Sequence, residues 1–273
     1  MLIIPHRRLG YRFPAYWFAQ HESQIPKTFC FWLRGCYFCP FDLCQHGYKI
    51  VQAQWWRTLV TDLTQPLQAI YDTFDKKSTQ YSLRRAERLL TSNSDWYIVL
   101  PAGHSVEDDR LIAEFYKRKN LGGSSFHEEL SGSPTRLYWL SSRVMFASEP
   151  VIVHTYLCDK EAGIVRLLYA VSRDVRDNAR QDVGNMNRWL FWQDLQYFKE
   201  GGYRTYDWGG ISKHGELLGI DSFKRSFGGE PAIVYSALVC RKLFAPLLRM
   251  LWRARTGDYP EIERYEENDV SMR

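Results

Sequence analysis

The apolar positions change period several times along the chain, and each change predicts an element. From residue 52 to about residue 92 they recur mostly at three- and four-residue steps, through Trp55, Leu59, Leu63, Leu67, Ile70 and Phe74. That spacing is the mark of one helical face, and Pro66 kinks or splits the stretch. A second helix is expected over residues 79–90, with Arg84, Arg85, Glu87 and Arg88 on its wet side. Residues 96–101 read as a buried strand. Ser105 followed by Asp108 makes a capping box that opens a helix. Its stripe is Leu111, Ile112, Phe115 and Tyr116, and Lys117, Arg118 and Lys119 complement its C-terminal dipole before Gly122-Gly123 stops it.

The second half alternates faster. Strand-like runs cover residues 136–141, 150–157 and 165–172, with a turn at 159–163. A polar segment ends at 182–184, and Asn187 is a candidate cap for a helix running to Lys199. That helix presents Leu190, Phe191, Leu195 and Phe198, and Gly201-Gly202 ends it. A short strand at 204–207, a turn at Gly209-Gly210 and a helix at 217–227 follow, the last stopped by Gly228-Gly229. A strand at 232–239 and a basic amphipathic helix at 241–255 precede an acidic tail expected to fray. Antiparallel strands leading into helix, strand, helix and strand predict an α+β class with a mixed sheet flanked by helices.

Composition singles out the first fifty residues. The 273-residue chain is 45% hydrophobic and 25% charged, which excludes disordered and fibrous classes. Its aromatic share is 15%, from 10 Trp, 17 Tyr and 15 Phe. Much of that excess lies in residues 11–56, beside arginines and four cysteines. The net charge of +5 is too mild for a dedicated nucleic-acid domain and suits a pocket for an anionic ligand. No apolar run is long enough for a membrane span, and the start lacks the apolar core of a secretory signal. A cytoplasmic protein with reduced cysteines is expected.

The most specific text is in residues 166–240. Asn185-Met186-Asn187-Arg188-Trp189-Leu190 opens a helix, Tyr206-Asp207-Trp208-Gly209-Gly210-Ile211 follows, and Gly219-Ile220-Asp221-Ser222-Phe223-Lys224-Arg225-Ser226-Phe227-Gly228-Gly229 leads into a strand. This text resembles the C-terminal half of FemAB-like acyltransferases, within the wider GNAT group of N-acetyltransferase folds. The resemblance implies a twisted mixed sheet splayed near its middle, with the acyl donor in the splay and an acceptor amine attacking its carbonyl. It covers residues 70–240 loosely and 166–240 well, and residues 1–54 stand outside it as an aromatic, Cys-rich N-terminal extension. The acyltransferase domain is then expected over residues 55–256, with residues 257–273 as the acidic tail.

The residues can also be read one by one. Gly209 and Gly210 permit close approach of a ligand, or form a plain tight turn. Tyr206 and Trp208 flank them as candidate substrate contacts. Asp207 is a candidate acceptor for the proton of the attacking amine, or a turn-capping residue. His214 is an alternative base, or an exposed loop histidine. Lys224 can hold a phosphate or carboxylate, or lie on a solvated helix face. His154 reads as a satisfied core or edge residue.

For the donor, GNAT domains carry Gln/Arg-x-x-Gly-x-Gly/Ala between strand and helix, and Gln181-Asp182-Val183-Gly184-Asn185-Met186 aligns with it in part. Met186 replaces the second small residue and Asp182 sets a negative charge where phosphate would lie, which weakens a pyrophosphate loop. Arg180, Gly184, Asn185, Asn187 and Arg188 remain donor-binding candidates. The implied activity is N-acyl transfer from an acyl-CoA thioester to an amino sugar, an amino acid or a cell-surface polymer precursor, small or lipid- or nucleotide-linked. The alternatives are an aminoacyl-tRNA donor and a non-catalytic ligand-binding or membrane-docking protein.

Two further groups stand apart. Cys30, Cys36, Cys39 and Cys44 hold one C-x-x-C spacing, open between a metal site and apolar packing. Leu243, Leu247, Leu248, Leu251 and Trp252 share the 241–255 helix with five cations and no acid. That mix suits the inner face of a membrane, a dimer face or ordinary packing.

Overall fold

The computed structural model describes residues 1–8, 11–25, 27–119, 138–173, 177–212 and 218–263, without the side chains of 5–8, 11–13 and 177–180. The chain forms two compact units, Met1–Thr58 with Ala232–Arg273, and Leu59–Pro231. Among the described residues no helix is long and apolar enough to cross a membrane.

The first unit is built on β1 (Leu2–Arg8), β2 (Tyr11–Trp17), β3 (Cys30–Cys36), β10 (Glu230–Arg241) and most of β4 (Tyr48–Asp62). The strands β1 and β2 form an antiparallel hairpin, β2 runs parallel to β3, and β3 is antiparallel to β10. Tyr16, Phe31, Leu33, Tyr48, Trp55 and Tyr235 fill its core. The expected boundary at residue 54 is therefore corrected. Residues 30–36 pair with residues 235–240, so the aromatic N-terminal segment belongs to a sheet rather than to an appendage. The tail is corrected in part as well. Ala53 N donates to Glu261 O at 3.1 Å and Glu263 N donates to Ala53 O at 2.9 Å, which ties residues 261–263 to β4.

The helix expected from residue 52 is a strand as far as Asp62. A four-residue step is also a multiple of two, so Trp55, Leu59 and Leu63 fit one face of either element. Ala53, two residues before Trp55, and Thr61, between Leu59 and Leu63, are buried too, as the strand period requires. Helices begin after Pro66, as α1 (Leu67–Asp72) and α2 (Thr79–Ser92).

The second unit holds an antiparallel succession of β5 (Trp96–Gly103), β6 (Trp139–Phe146), β7 (Glu149–Asp159) and β8 (Ile164–Ser172). Then α4 (Asp177–Glu200) leads to β9 (Thr205–Ile211), which lies parallel to β8. Two further helices are α3 (Val106–Arg118) and α5 (Leu218–Arg225). The expected α+β class with a mixed sheet is thus present. The capping box at α3 is formed: Ser105 Oγ accepts from Asp108 N at 3.3 Å, and Ser105 N donates to Asp108 Oδ2 at 2.7 Å. Gly122-Gly123 lies outside the described residues.

Several expected boundaries move. The strand at 96–101 is an edge strand with only Trp96 and Pro101 buried. The strand expected at 136–141 is β6, which runs from Trp139 to Phe146, where Ala147 and Ser148, both at positive φ, close a two-residue hairpin; residues 136 and 137 lie outside the described residues. Asp182–Gly184 and Asn187 lie inside a 24-residue helix instead of before one. Its buried face, Val183, Met186, Leu190 and Phe191, sets in before Gly184 has passed. The roughly 1 kcal/mol that an interior glycine costs does not break such a face. Gly209-Gly210 is not a turn either, because β9 runs through both. Gly209 has φ 71°, and a Cβ there would lie 2.8 Å from the carbonyl oxygen of Leu167.

Opposite outcomes follow for two alanines. At Gly184 a Cβ meets nothing within 4 Å, so Gly184→Ala should raise stability by about 0.5–1 kcal/mol. Gly209→Ala should lower it by at least about 1–2 kcal/mol from backbone handedness alone. Thermal unfolding followed by circular dichroism checks both. A destabilised Gly184→Ala would contradict the continuous helix.

Candidate functional site

The parallel pair β8/β9 is joined at Ile164 and Thr205, Val165 and Tyr206, and Arg166 and Asp207. The last of these rungs is an ion pair. Arg166 Nε donates to Asp207 Oδ2 at 2.7 Å, and Nη2 reaches the same oxygen at 2.5 Å. Both residues are buried. Asp207 Oδ1 accepts from Gly209 N at 2.8 Å. The carboxylate therefore holds the arginine on one oxygen and shapes its own strand with the other. Beyond this rung lie the carboxyl ends of two parallel strands, where ligands bind in open sheets of this connectivity.

Lys224, on α5, comes to this strand end. Its Nζ donates to Gly210 O at 2.7 Å. Burial pulls the ammonium down to about 8, against the opposing pull of Asp207 and Asp221 and with a smaller push from Arg166. Asp221 is held by the next residue after β9, accepting from Ser212 N at 3.1 Å (Oδ1) and 3.2 Å (Oδ2) and from Ser212 Oγ. One residue before Lys224, the ring of Phe223 carries the guanidinium of Arg188 at 4.8 Å. Arg188 sits on α4, and burial lowers its pKa from the ordinary arginine value. Its Nη1 lies 3.5 Å from Gly184 O, and its buried Nε has no hydrogen-bond partner among the described residues. One desolvated cation thus sits on the carbonyl of Gly210, and a second lies over the ring of the residue that precedes it on α5. Such cations favour an anionic ligand, which replaces the solvation they have lost.

The structure separates the other candidates. Tyr206 and Trp208 are fully buried, and the expectation that they touch substrate is corrected. The Tyr206 hydroxyl donates to Tyr156 OH at 3.0 Å, and Trp208 Nε1 donates to Thr61 Oγ1 at 2.9 Å. Both are core residues placed by the two-residue period of β9. Asp207, with no exposed surface and Arg166 on its carboxylate, holds the site together; its expected role as direct proton acceptor is corrected on that ground. Gly209 is buried and Gly210 exposed. His214 lies outside the described residues, as does the side chain of Arg180.

The partial pyrophosphate motif at residues 181–186 is helical throughout, so it forms no strand-to-helix loop. Within it, Asn185 is buried. Asn187 lies on neither a cap nor a loop, since its Oδ1 is 2.8 Å from His154 Nε2. The four N-terminal cysteines make no disulfide, and among the described residues no group of three or more His, Cys, Asp or Glu is placed to hold a metal. Cys36 Sγ donates instead to Tyr235 O at 3.4 Å.

Sequence reasoning missed two polar networks. His154, Tyr156 and Ser142 all meet Asp194 Oδ2, at 2.9, 2.6 and 2.9 Å, and tie β6 and β7 to α4. The His154 ring also stacks on Phe191 at 3.8 Å. His104 bridges Ser141 Oγ and Asp109 Oδ1, each at 2.8 Å. That order of groups matches a nucleophilic triad, but Ser141 is fully buried in β6, so the set braces α3 against the sheet. Arg166 carried a usable signal, as a lone charge inside the apolar run of residues 164–168. Asp194 carried one too, falling on the apolar face of its helix.

No family profile and no curated protein matches the chain. Among solved structures, it is similar to the C-terminal DUF2156 domain of a proposed lysylphosphatidylglycerol synthetase from Agrobacterium fabrum. That match has 17% identity over 82% of this chain and 72% of the other, with TM-score 0.49. It is similar to L-PGS from Bacillus licheniformis, at 18% identity over 84% and 73%, with TM-score 0.45. A GCN5-related N-acetyltransferase from Kribbella flavida matches at 13% identity over 77% and 67%, with TM-score 0.37.

Proposed function

We propose that the protein is an N-acyltransferase working at the carboxyl ends of β8 and β9. The reading is carried by one observation: a lysine with a depressed pKa, seated on the carbonyl of Gly210, one residue after the Phe223 ring that carries the Arg188 guanidinium. The Tyr206–Gly229 text, with its resemblance to FemAB-like acyltransferases, supports the same chemistry. The acceptor is an amine on a small, lipid-linked or nucleotide-linked molecule. Its nitrogen attacks the carbonyl carbon of a donor thioester, the new C–N bond forms, the C–S bond breaks, and the amine proton leaves with the thiolate as a thiol. The Lys224 ammonium and the Arg188 guanidinium hold the donor's anionic group, and Lys224 opposes charge as it develops on the carbonyl oxygen. Arg166 and Asp207 are positioning residues.

An acyl-CoA is the first donor to test. The helical course of residues 181–186 removes the usual pyrophosphate loop, and this favours keeping aminoacyl-tRNA as the second donor. Thiol release from acyl-CoA and transfer from charged tRNA, each run against a panel of amines, separate the two. Lys224→Ala should cut turnover by about 10²-fold or more. Near-normal turnover in that variant, or no transfer from either donor, contradicts the proposal and leaves the non-catalytic reading.

Titration gives an independent check. Activity that needs the ammonium should fall as pH rises through about 8, and Lys224→Arg should remove that limb. Stability should move the other way. The folded protein binds fewer protons than the unfolded chain between about 8 and the ordinary lysine value of 10.5. Stability therefore rises with pH across that window. Denaturant unfolding at several pH values in the wild type and in Lys224→Met measures this contribution.

A further inference from the structure

The first unit carries a surface that acyl transfer does not explain. Its C-terminal helix α6 (Ala245–Thr256) buries Ala245, Leu248 and Trp252. On the opposite face, Leu247 is 50% and Met250 62% exposed, and on the preceding 3-10 turn Leu243 is 84% exposed. Residues 243, 247 and 250 follow helical spacing, so these side chains form one outward stripe. Phe29, 73% exposed, extends it by packing edge-on against Phe244 with ring centroids 5.6 Å apart. A row of large apolar side chains facing outward marks an interaction site.

The charges beside the stripe identify the partner. Residues 241–256 hold Arg241, Lys242, Arg249, Arg253 and Arg255 and no acid, and acidic residues resume at Asp258. Next to Met250 opens a cavity of about 340 Å³ lined by Lys49, Ala245, Pro246, Arg249, Met250, Arg253 and Tyr259. Among the described residues no carboxylate lines it. Arg249 Nη2 donates to Ile50 O at 3.0 Å, while its Nε is buried with no hydrogen-bond partner among the described residues. Arg253 Nη1 donates to Tyr259 OH at 2.7 Å and lies over that ring. The charged side chains that line the cavity among the described residues, Lys49, Arg249 and Arg253, are therefore all cations, which suits an anion.

We infer that the α6 face docks on an anionic lipid bilayer, with the Leu243–Leu247–Met250 stripe in the acyl region and a lipid phosphate in the Lys49–Arg249–Arg253 cavity. An amphipathic helix with aliphatic residues on one face and arginines along its flanks lies in a bilayer interface in this way. A second copy of the chain fits less well, since two such faces would oppose their cations. RNA fits less well, since an aliphatic stripe offers bases no stacking platform. The inference concerns a surface outside the β8/β9 site and stands or falls separately from the proposed reaction.

Co-sedimentation with vesicles of phosphatidylcholine, with and without phosphatidylglycerol, tests it at two salt concentrations. Wild type should bind the phosphatidylglycerol vesicles at least about 10-fold more tightly than the neutral ones, and salt should weaken that binding. Arg249→Gln with Arg253→Gln should weaken it roughly 10–30-fold, following the ~1 kcal/mol per basic residue expected near such a surface. Leu247→Glu with Met250→Glu should weaken it by at least about 10-fold. Leu100→Glu, an exposed site on β5, should change nothing. Should either double variant fail to fold by circular dichroism, Leu243→Glu on the 3-10 turn carries the same expectation. Equal binding to both vesicle types, no binding, or binding unmoved by the variants overturns the inference. So does RNA binding or a dimer that the Leu247→Glu, Met250→Glu protein loses while wild type ignores vesicles.

Discussion

The second unit turns on the buried pair of Arg166 and Asp207. Two charges withdrawn from water cost more than their attraction returns unless every remaining polar atom is satisfied. Here the demand is met in part by the pair itself: Arg166 Nε and Nη2 fall on one carboxylate oxygen, and the other oxygen takes the N–H of Gly209. That last contact draws β9 into the left-handed backbone of Gly209, tight against the Leu167 carbonyl. The next carbonyl, that of Gly210, is then presented to Lys224. A pair that contributes little to net stability thus fixes the geometry in which a lysine loses its solvent.

A second buried carboxylate supports this arrangement from below. Asp194 gathers His154, Tyr156 and Ser142, and Tyr206 joins through the Tyr156 hydroxyl. Tyr206 neighbours Asp207 in β9, and Asp194 lies on the helix that also carries Arg188. The network therefore sets the strand that presents Gly210 to Lys224 and the helix that carries Arg188. Burial pushes the Tyr156 and Tyr206 hydroxyls well above the usual tyrosine range, with the Asp194 charge adding to it. Both stay neutral hydrogen-bond donors at any ordinary pH, and the brace holds while Lys224 titrates.

How far the sequence could be read depended on whether a pattern had one physical meaning. The order of elements from β7 to α6 was legible, because glycine pairs and strand-length apolar runs mark it plainly. The strand at residues 52–62 was not, since Trp55, Leu59 and Leu63 satisfy both periods and nothing local decides between them. The motif at 181–186 misled for the opposite reason. Its glycine suggests a loop, but the helix is set by Val183, Met186 and Leu190, whose packing is tertiary. At the site, Lys224 and Arg188 were found as cations without a known relation, and only the fold brings Arg188 over Phe223, the residue before Lys224. Asp207 was found for its charge and misassigned, because its partner Arg166 lies 41 residues away in sequence.

The most direct test of the central claim is the titration of Lys224 itself. In protein carrying ¹³C-labelled lysine, the Cε signal lost in Lys224→Arg identifies the residue. The structure predicts that this signal titrates near pH 8, well apart from the exposed lysines. A Lys224 that titrates with them near the ordinary value of 10.5 would mean that the β8/β9 end does not desolvate it, and the account of the site would be wrong.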